Sequence, residues 1–205
     1  MWRTEWIAVV LVAWSVVVGV TAVDAKVFLA KDEAIAKAFP DADHAEERVV
    51  FLTADQKATV ERQGGTALES QLWTIYVGWR DGAVQGYAII DNHVVRTLPE
   101  AFMVVLDPDG TVRRVEILAF YEPPDYMPPE RWVGQFAGRR LDEDLALRHG
   151  IQGITGATLS AVAMTAGVRR ALAIVEVAVR EAAGAPVEAP RSGASPAARP
   201  TEGGG

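Results

Sequence analysis

The chain has 205 residues and a formal net charge of −7, and 50% of its residues are hydrophobic. An acidic chain without a basic run lacks the positive surface that phosphate backbones require, so we expect no nucleic-acid partner. Cysteine is absent, which excludes disulfides, thiolate-held iron–sulfur clusters, attached c-type haem and cysteine-based zinc sites. Any redox cofactor must therefore be held by other chemistry.

The first 25 residues have the pattern of an export signal. Arg3 precedes an uncharged run from Trp6 to Val23, and Val23-Asp24-Ala25 resembles a signal-peptidase site. We expect cleavage after Ala25 and a location in the periplasm or at the extracytoplasmic face of the membrane. The uncharged run holds 18 residues, close to the length of a membrane span, so retention as an anchor through residues 6–23 stays open.

Residues 26–183 are predicted to form one domain that begins with two helices and a strand. The segment "LAKDEAIAKAFPDAD" has the apolar spacing of a short amphipathic helix. A short strand over Val49–Leu52 follows. Thr53 then caps a second helix, which Gly64 and Gly65 terminate.

Two β-hairpins are predicted next, and each is marked by its turn. The alternating segment Trp73–Trp79 reverses at "RDG" and returns as Val84–Ile90. The second pair, Ala101–Leu106 and Val112–Phe120, is joined by the turn "DPDG". Consecutive hairpins imply an antiparallel sheet, so the sequence predicts an α+β fold with a central antiparallel sheet flanked by helices.

The last third of the domain is predicted to be helical after a proline-rich loop. The loop covers Tyr121–Pro129, a short helix covers Glu130–Phe136, and "RRLDEDLALRHG" is expected to make one or two helical turns ending at Gly150. From Thr158 onward, apolar residues at three- and four-residue spacings predict the longest helix of the chain. Residues 184–205 are rich in Pro, Gly, Ala and Ser and are predicted to be a disordered tail.

The segment "GITGATLS" at the start of the long helix admits two interpretations. Thr155 is an ordinary N-cap residue that accepts a hydrogen bond from the amide of Ala157 or Thr158. The same helix end also presents unpaired amides and the positive end of the helix dipole, and Gly156 and Ala157 leave its backbone open to a phosphate. Spacing alone does not decide between capping and phosphate binding.

The segment "GITGATLSA" resembles the flavinylation motif Ser/Thr-Gly-Ala-Thr/Ser-x-Thr/Ser of the FMN-binding domain family. That family includes components of the sodium-translocating NADH:quinone reductase and of Rnf-type electron transport complexes. The resemblance implies FMN attached through a phosphoester to Thr158 by a separate, magnesium-dependent flavin transferase. "FLTADQ", "VRRVEILAF", Glu122 and "WVGQFAG" also look like family elements, so the resemblance extends from about Lys26 to Val179.

The resemblance implies a cofactor site built from the motif, the proline-rich loop and the short helix. Its residues are Thr155, Gly156, Ala157, Thr158, Leu159, Ser160, Glu122 and Trp132. Tyr121, Tyr126 and Phe136 are further candidates to line the flavin ring, and Arg139 and Arg140 are candidates to pair with its phosphate. No metal site and no catalytic residues are predicted, because the three histidines are scattered and no acid–base pair is evident.

The expected function is that of an exported flavoprotein that relays electrons between redox partners, as a carrier or a subunit of an oxidoreductase complex rather than a stand-alone enzyme. Its partners would be the flavin transferase and a redox protein or membrane complex. Two alternatives stay open: a non-covalent module for FMN or another phosphate ligand, and an interaction protein without flavin. Gln152 stands where many family members have an acidic residue, which favours the non-covalent module.

Overall fold

The computed structural model describes residues 26–180, so the predicted export signal and the predicted tail lie outside the described residues. The elements, in chain order, are β1 Lys26–Val27, α1 Lys31–Ala38, β2 His44–Phe51, α2 Ala54–Gly64, β3 Leu72–Arg80, β4 Ala83–Val94, β5 Pro99–Leu106, β6 Val112–Phe120, α3 Glu130–Val133 and α4 Thr158–Val175. Residues Glu176–Arg180 extend α4 as a π-helical turn. Within 26–180, no helix has both the length and the apolarity to cross a bilayer.

The six strands form one antiparallel sheet in the order β1-β6-β5-β4-β3-β2. Both predicted hairpins are confirmed, as β3–β4 and β5–β6. Strand β2 begins five residues earlier than predicted, at His44 instead of Val49, and pairs along its whole length with β3. Its alternation of charged and apolar residues is weak because β2 is an edge strand with much of its surface in solvent.

Helices cover both faces of the sheet, which confirms the α+β class. Helix α1 packs on one face against a cluster that includes Tyr76, Met103 and Val105. Helices α2 and α4 pack on the other face, where Ile75 and Phe102 belong to the larger core. Because the central strands are buried on both faces, "FMVVL" of β5 is apolar at every position.

Helix α2 has the ends that the sequence predicted. The Thr53 hydroxyl accepts from the amide of Gln56 at 3.2 Å, and the Gln56 side chain accepts from the Thr53 amide at 3.0 Å, which together make a capping box. Gly65 ends the helix in the left-handed conformation, with φ +71°. These local signals were sufficient to place both ends of the helix.

Helix α4 is anchored on the sheet by a close approach and by a buried ion pair. A Cβ atom at Gly167 would lie 2.5 Å from Phe102 Cζ, so only glycine lets the helix approach strand β5 this closely. Three residues further, Arg170 donates to Asp91 Oδ2 of β4 from Nη2 at 2.6 Å and from Nε at 3.0 Å. Asp91 is 2% exposed, so the pair fixes the helix against the sheet.

The predicted helical turns within residues 139–150 are wrong, since this segment is a series of turns and bends. The Asp142 carboxylate accepts from the Leu145 amide, and this local bond competes with a helical one. The Arg169 side chain of α4 donates to the carbonyls of Asp142 and Leu145. In a helix these two carbonyls would accept from amides of the same helix. Here they accept from the Arg169 side chain instead.

Candidate functional site

The loop before α4 is held by side chains of the short helical segment that precedes it. The Trp132 indole Nε1 donates to the carbonyl of Gln152 at 2.5 Å, and the Gln152 amide donates to Gln135 Oε1 at 2.9 Å. Arg139 Nη2 donates to the carbonyl of Gly150 at 2.8 Å. These contacts fix the backbone that leads into the motif.

The motif enters α4 through a left-handed glycine. Gly156 has φ +87°, a conformation that side chains other than glycine rarely adopt, which accounts for the glycine of the motif. Ala157, 3% exposed, is the N-cap residue, and its carbonyl accepts from the amide of Ala161 at 3.1 Å. The prediction that Thr155 caps the helix is therefore wrong, because the helix begins two residues later than that cap requires.

Thr158 is the first residue of α4, and its side chain is exposed. Its hydroxyl donates to the carbonyl of Ile154 at 3.4 Å, a long contact that leaves the oxygen accessible. No side chain among residues 26–180 caps this helix end, and its first turn has no acidic residue. The site therefore combines an accessible hydroxyl with uncompensated helix amides, an arrangement that favours an anion.

A cleft of about 240 Å³ opens beside Thr158. Its lining includes five consecutive motif residues, from Gly156 to Ser160, and two residues from other parts of the chain, Arg96 and Tyr126. The Arg96 guanidinium lies over the Tyr126 ring, with Cζ 4.5 Å from the ring centroid. The buried Ser160 hydroxyl donates to the Tyr126 carbonyl at 2.7 Å and joins the proline-rich loop to the first turn of α4.

Glu122 does not line this cleft but holds one of its walls. Its Oε1 accepts from the amides of Arg96, Thr97 and Leu98, at 3.0, 2.7 and 2.9 Å. These bonds, with that of Thr97 strongest, lower the pKa of the Glu122 carboxyl, so it is ionised at neutral pH. Glu122 therefore stabilises the β4–β5 turn that contains Arg96.

A second, larger cleft of about 620 Å³ lies on the other side of the motif. It is lined by Trp132 and Arg131 of α3 and by motif-loop residues from Gln152 to Thr155. Trp132 is 6% exposed and packs edge-to-face on Phe136 at 5.3 Å, so most of its ring belongs to the core. Thr158 and Thr155 thus face different clefts.

The structure does not bring all the predicted site residues together. Those that line the cleft beside Thr158 are Gly156, Ala157, Leu159, Ser160 and Tyr126. Thr155 and Trp132 line the larger cleft, and Glu122 supports the β4–β5 turn. Phe136 is fully buried core, and Arg139 and Arg140 donate to backbone and to Asp109 instead of lining the cleft beside Thr158.

Sequence reasoning missed Arg96. It stands in the short turn between β4 and β5, far along the chain from the motif, and no motif surrounds it. The sheet register brings this turn to the α4 end of the domain, because Val94 pairs with Pro99 at the last rung of the hairpin. A charged residue in a hairpin turn is too common to be a signal by itself.

Among the described residues, no carboxylate and no histidine lines the cleft beside Thr158. A threonine hydroxyl is a weak nucleophile unless a base or a metal activates it, so these residues alone do not equip Thr158 to modify itself. The same residues suit a bound phosphate, through the helix amides and the Arg96 guanidinium. The arrangement fits an acceptor hydroxyl that another catalyst modifies.

Comparison with known proteins agrees with this geometry. The family model of the FMN-binding domain matches residues 99–173, from the start of β5 into the last turn of α4. The match contains Glu122, Trp132 and the whole motif, and it confirms the family resemblance. A search of curated proteins finds no match to the chain.

Proposed function

We propose that this chain, a member of the FMN-binding domain family through residues 99–173, holds FMN covalently on the Thr158 hydroxyl and relays electrons between redox partners. The observation that supports the attachment site is the exposed Thr158 hydroxyl at the N-terminus of α4, beside a cleft. The other motif hydroxyls differ from it. Thr155 lines the larger cleft, and the Ser160 hydroxyl is buried and bonded to the Tyr126 carbonyl.

The proposed product differs from the free chain by one FMN less one water, because an ester Oγ–P bond replaces the Thr158 O–H bond. A separate flavin transferase supplies the activation, since the cleft lining has no general base. The ester keeps its negative charge at the α4 N-terminus, where helix amides and dipole stabilise an anion by about 0.3–1 kcal/mol. Attachment also retains the cofactor in a compartment without an FMN pool.

Intact mass spectrometry tests the attachment directly. The full chain is expressed with and without a flavin transferase of this family, and the mass gain of FMN less one water is expected only with the transferase. Thr158→Val is expected to abolish the gain. Thr155→Val is the matched control, because it removes another exposed motif hydroxyl and is expected to leave the gain intact. Equal gains in the wild type and in Thr158→Val would refute the assignment.

FMN supplies one- and two-electron redox chemistry when bound. The chain's own residues bind and orient it: the motif backbone and Arg96 surround the attachment point, and Glu122 holds the Arg96 turn. The cleft of about 240 Å³ is smaller than typical ligand pockets of roughly 300–1,000 Å³, so it would leave part of a flavin in contact with solvent. An exposed cofactor edge suits electron exchange with a protein partner.

Export is the second part of the proposal. It rests on residues 1–25, whose composition is that of a signal segment. The partner would then be a membrane quinone or NADH-linked complex, or an exported cytochrome or reductase. The intact mass of the protein from its native host shows whether the segment is cleaved, because cleavage after Ala25 removes the first 25 residues. An uncut chain in the membrane fraction supports an anchor.

A non-covalent FMN module is the second candidate function, and Gln152 favours it. Gln152 replaces an acidic residue common in the family, and its backbone is fixed by Trp132 and Gln135. If the transferase requires that carboxylate, the wild type will not be modified and flavin will bind reversibly. Gln152→Glu is then expected to restore the mass gain, which distinguishes a lost modification site from a lost flavin site.

A further inference from the structure

Arg96, an exposed residue of the β4–β5 turn, lines the cleft together with the motif residues Gly156 to Ser160. Its guanidinium Cζ lies 4.5 Å from the centroid of the Tyr126 ring, a cation–π contact that favours this position of the guanidinium. Among residues 26–180 the guanidinium makes no ion pair, and its charge contributes to the lowered pKa of Glu122. The residue therefore presents a positive charge to the cleft.

Three separate sets of contacts hold the backbone around this charge. Glu122 accepts from the amides of Arg96 and its two successors, and the Val95 amide donates to Leu98 to close the turn. The Ser160 hydroxyl of α4 donates to the Tyr126 carbonyl at 2.7 Å, which holds the backbone of the residue whose ring lies beneath Arg96. The turn, the proline-rich loop and the helix start are thus joined at one point, so the backbone around the cleft is already ordered before a ligand binds.

Two positive features share the cleft, the guanidinium of Arg96 and the N-terminus of α4. Among residues 26–180, no acidic residue lines this cleft. A group attached to Thr158 must start in this cleft, which has a volume of about 240 Å³ and is lined by both Thr158 and Arg96. An anion bonded to Thr158 therefore lies within reach of Arg96, and arginine binds phosphate oxygens in a bidentate manner.

We propose that Arg96 binds the phosphodiester that joins FMN to Thr158, and that this contact directs the flavin into the cleft with Tyr126 and away from the larger cleft beside Thr155. This inference rests on the proposed function. It assigns to Arg96 a binding role, to Tyr126 the support of the guanidinium, and to Glu122 the positioning of the turn. The larger cleft offers its own exposed arginine, Arg131, which provides a matched comparison.

The test compares Arg96→Gln with Arg131→Gln in the full chain, each loaded with FMN by the transferase. The ³¹P resonance of the diester is expected to shift in Arg96→Gln and to stay at the wild-type position in Arg131→Gln. Acrylamide quenching of the flavin fluorescence is expected to increase several-fold in Arg96→Gln alone, because the ring leaves its cleft. Arg96→Lys keeps the charge without the planar contact and is expected to be intermediate in both measurements.

The outcomes separate this inference from the proposed function. A wild-type chain without the mass gain refutes the attachment, and the inference fails with it. A normal mass gain with an unchanged ³¹P resonance in Arg96→Gln overturns the inference and leaves the attachment intact, as does a shift confined to Arg131→Gln. Loss of the mass gain in Arg96→Gln also overturns it, since Arg96 would then act in recognition by the transferase.

Discussion

A buried charge cluster makes the stability of this protein depend on pH above neutrality. The His93 imidazole of β4 lies between two carboxylates, with Nε2 3.4 Å from Glu100 Oε2 and Nδ1 3.8 Å from Asp91 Oδ1. Arg170 of α4 pairs with Asp91 from the other side. Glu100 is fully buried, and the His93 side chain is 15% exposed. These distances are longer than those of good hydrogen bonds. The attraction between His93 and the two carboxylates is therefore mainly that between opposite charges.

Burial lowers the pKa of His93, but the two carboxylates outweigh it and raise the pKa to about 9 from an ordinary 6.5. The folded chain therefore binds one more proton than the unfolded chain between these values, and its free energy of unfolding falls as pH rises through that window. At about 1.4 kcal/mol per pH unit, the protonated His93 contributes about 3 kcal/mol below pH 6.5, and this is lost as pH rises through about 9.

Urea unfolding followed by tryptophan fluorescence measures the effect at intervals from pH 6 to pH 10. We expect the wild type to lose about 3 kcal/mol over this range relative to His93→Gln, which lacks the titrating group. His149→Gln is the matched control, because His149 is exposed, and it is expected to follow the wild type. A constant difference between the wild type and His93→Gln at every pH would show that His93 titrates normally and would refute the reasoning.

Two further predictions concern the supports of the site. Glu122→Ala leaves three turn amides without their acceptor, so we expect it to lower the free energy of unfolding by about 1–3 kcal/mol and to speed hydrogen exchange at those amides. Glu122→Gln retains an acceptor oxygen and is expected to lower the free energy of unfolding by less. Gly167→Ala places a Cβ 2.5 Å from Phe102 and is expected to destabilise by about 1–3 kcal/mol in urea unfolding. Its control is Gly134→Ala, where no atom lies within 4 Å; equal costs would contradict the packing argument.

Elements with local signals were predicted well from the sequence. The α2 capping box depends on residues three positions apart, and the hairpin turns depend on a few consecutive residues. The apolar stripe of α4 matches its buried face because the period of a helix is a local property. Such features are independent of the rest of the fold, so one sequence is enough to identify them.

The errors fall where tertiary contacts replace local ones. Residues 139–150 have the composition of a helix end, but the Arg169 side chain captures two of their carbonyls. Thr155 has the residue type of an N-cap, but Gly156 turns left-handed and moves the helix start to Thr158. The pattern of neighbouring residues shows neither the Arg169 contact nor the left-handed angle of Gly156, so both errors follow from reading the sequence locally.

The hairpins, the long helix and the motif that places a threonine hydroxyl at the start of that helix were predictable from the sequence, because each depends on neighbouring residues. The folded chain, by contrast, was needed to see that Arg96 and Tyr126 line one cleft with Thr158, and that His93, Asp91 and Arg170 share a buried cluster. These contacts join segments far apart in the chain. Their partners are chosen by sheet register and helix packing, which no local pattern specifies.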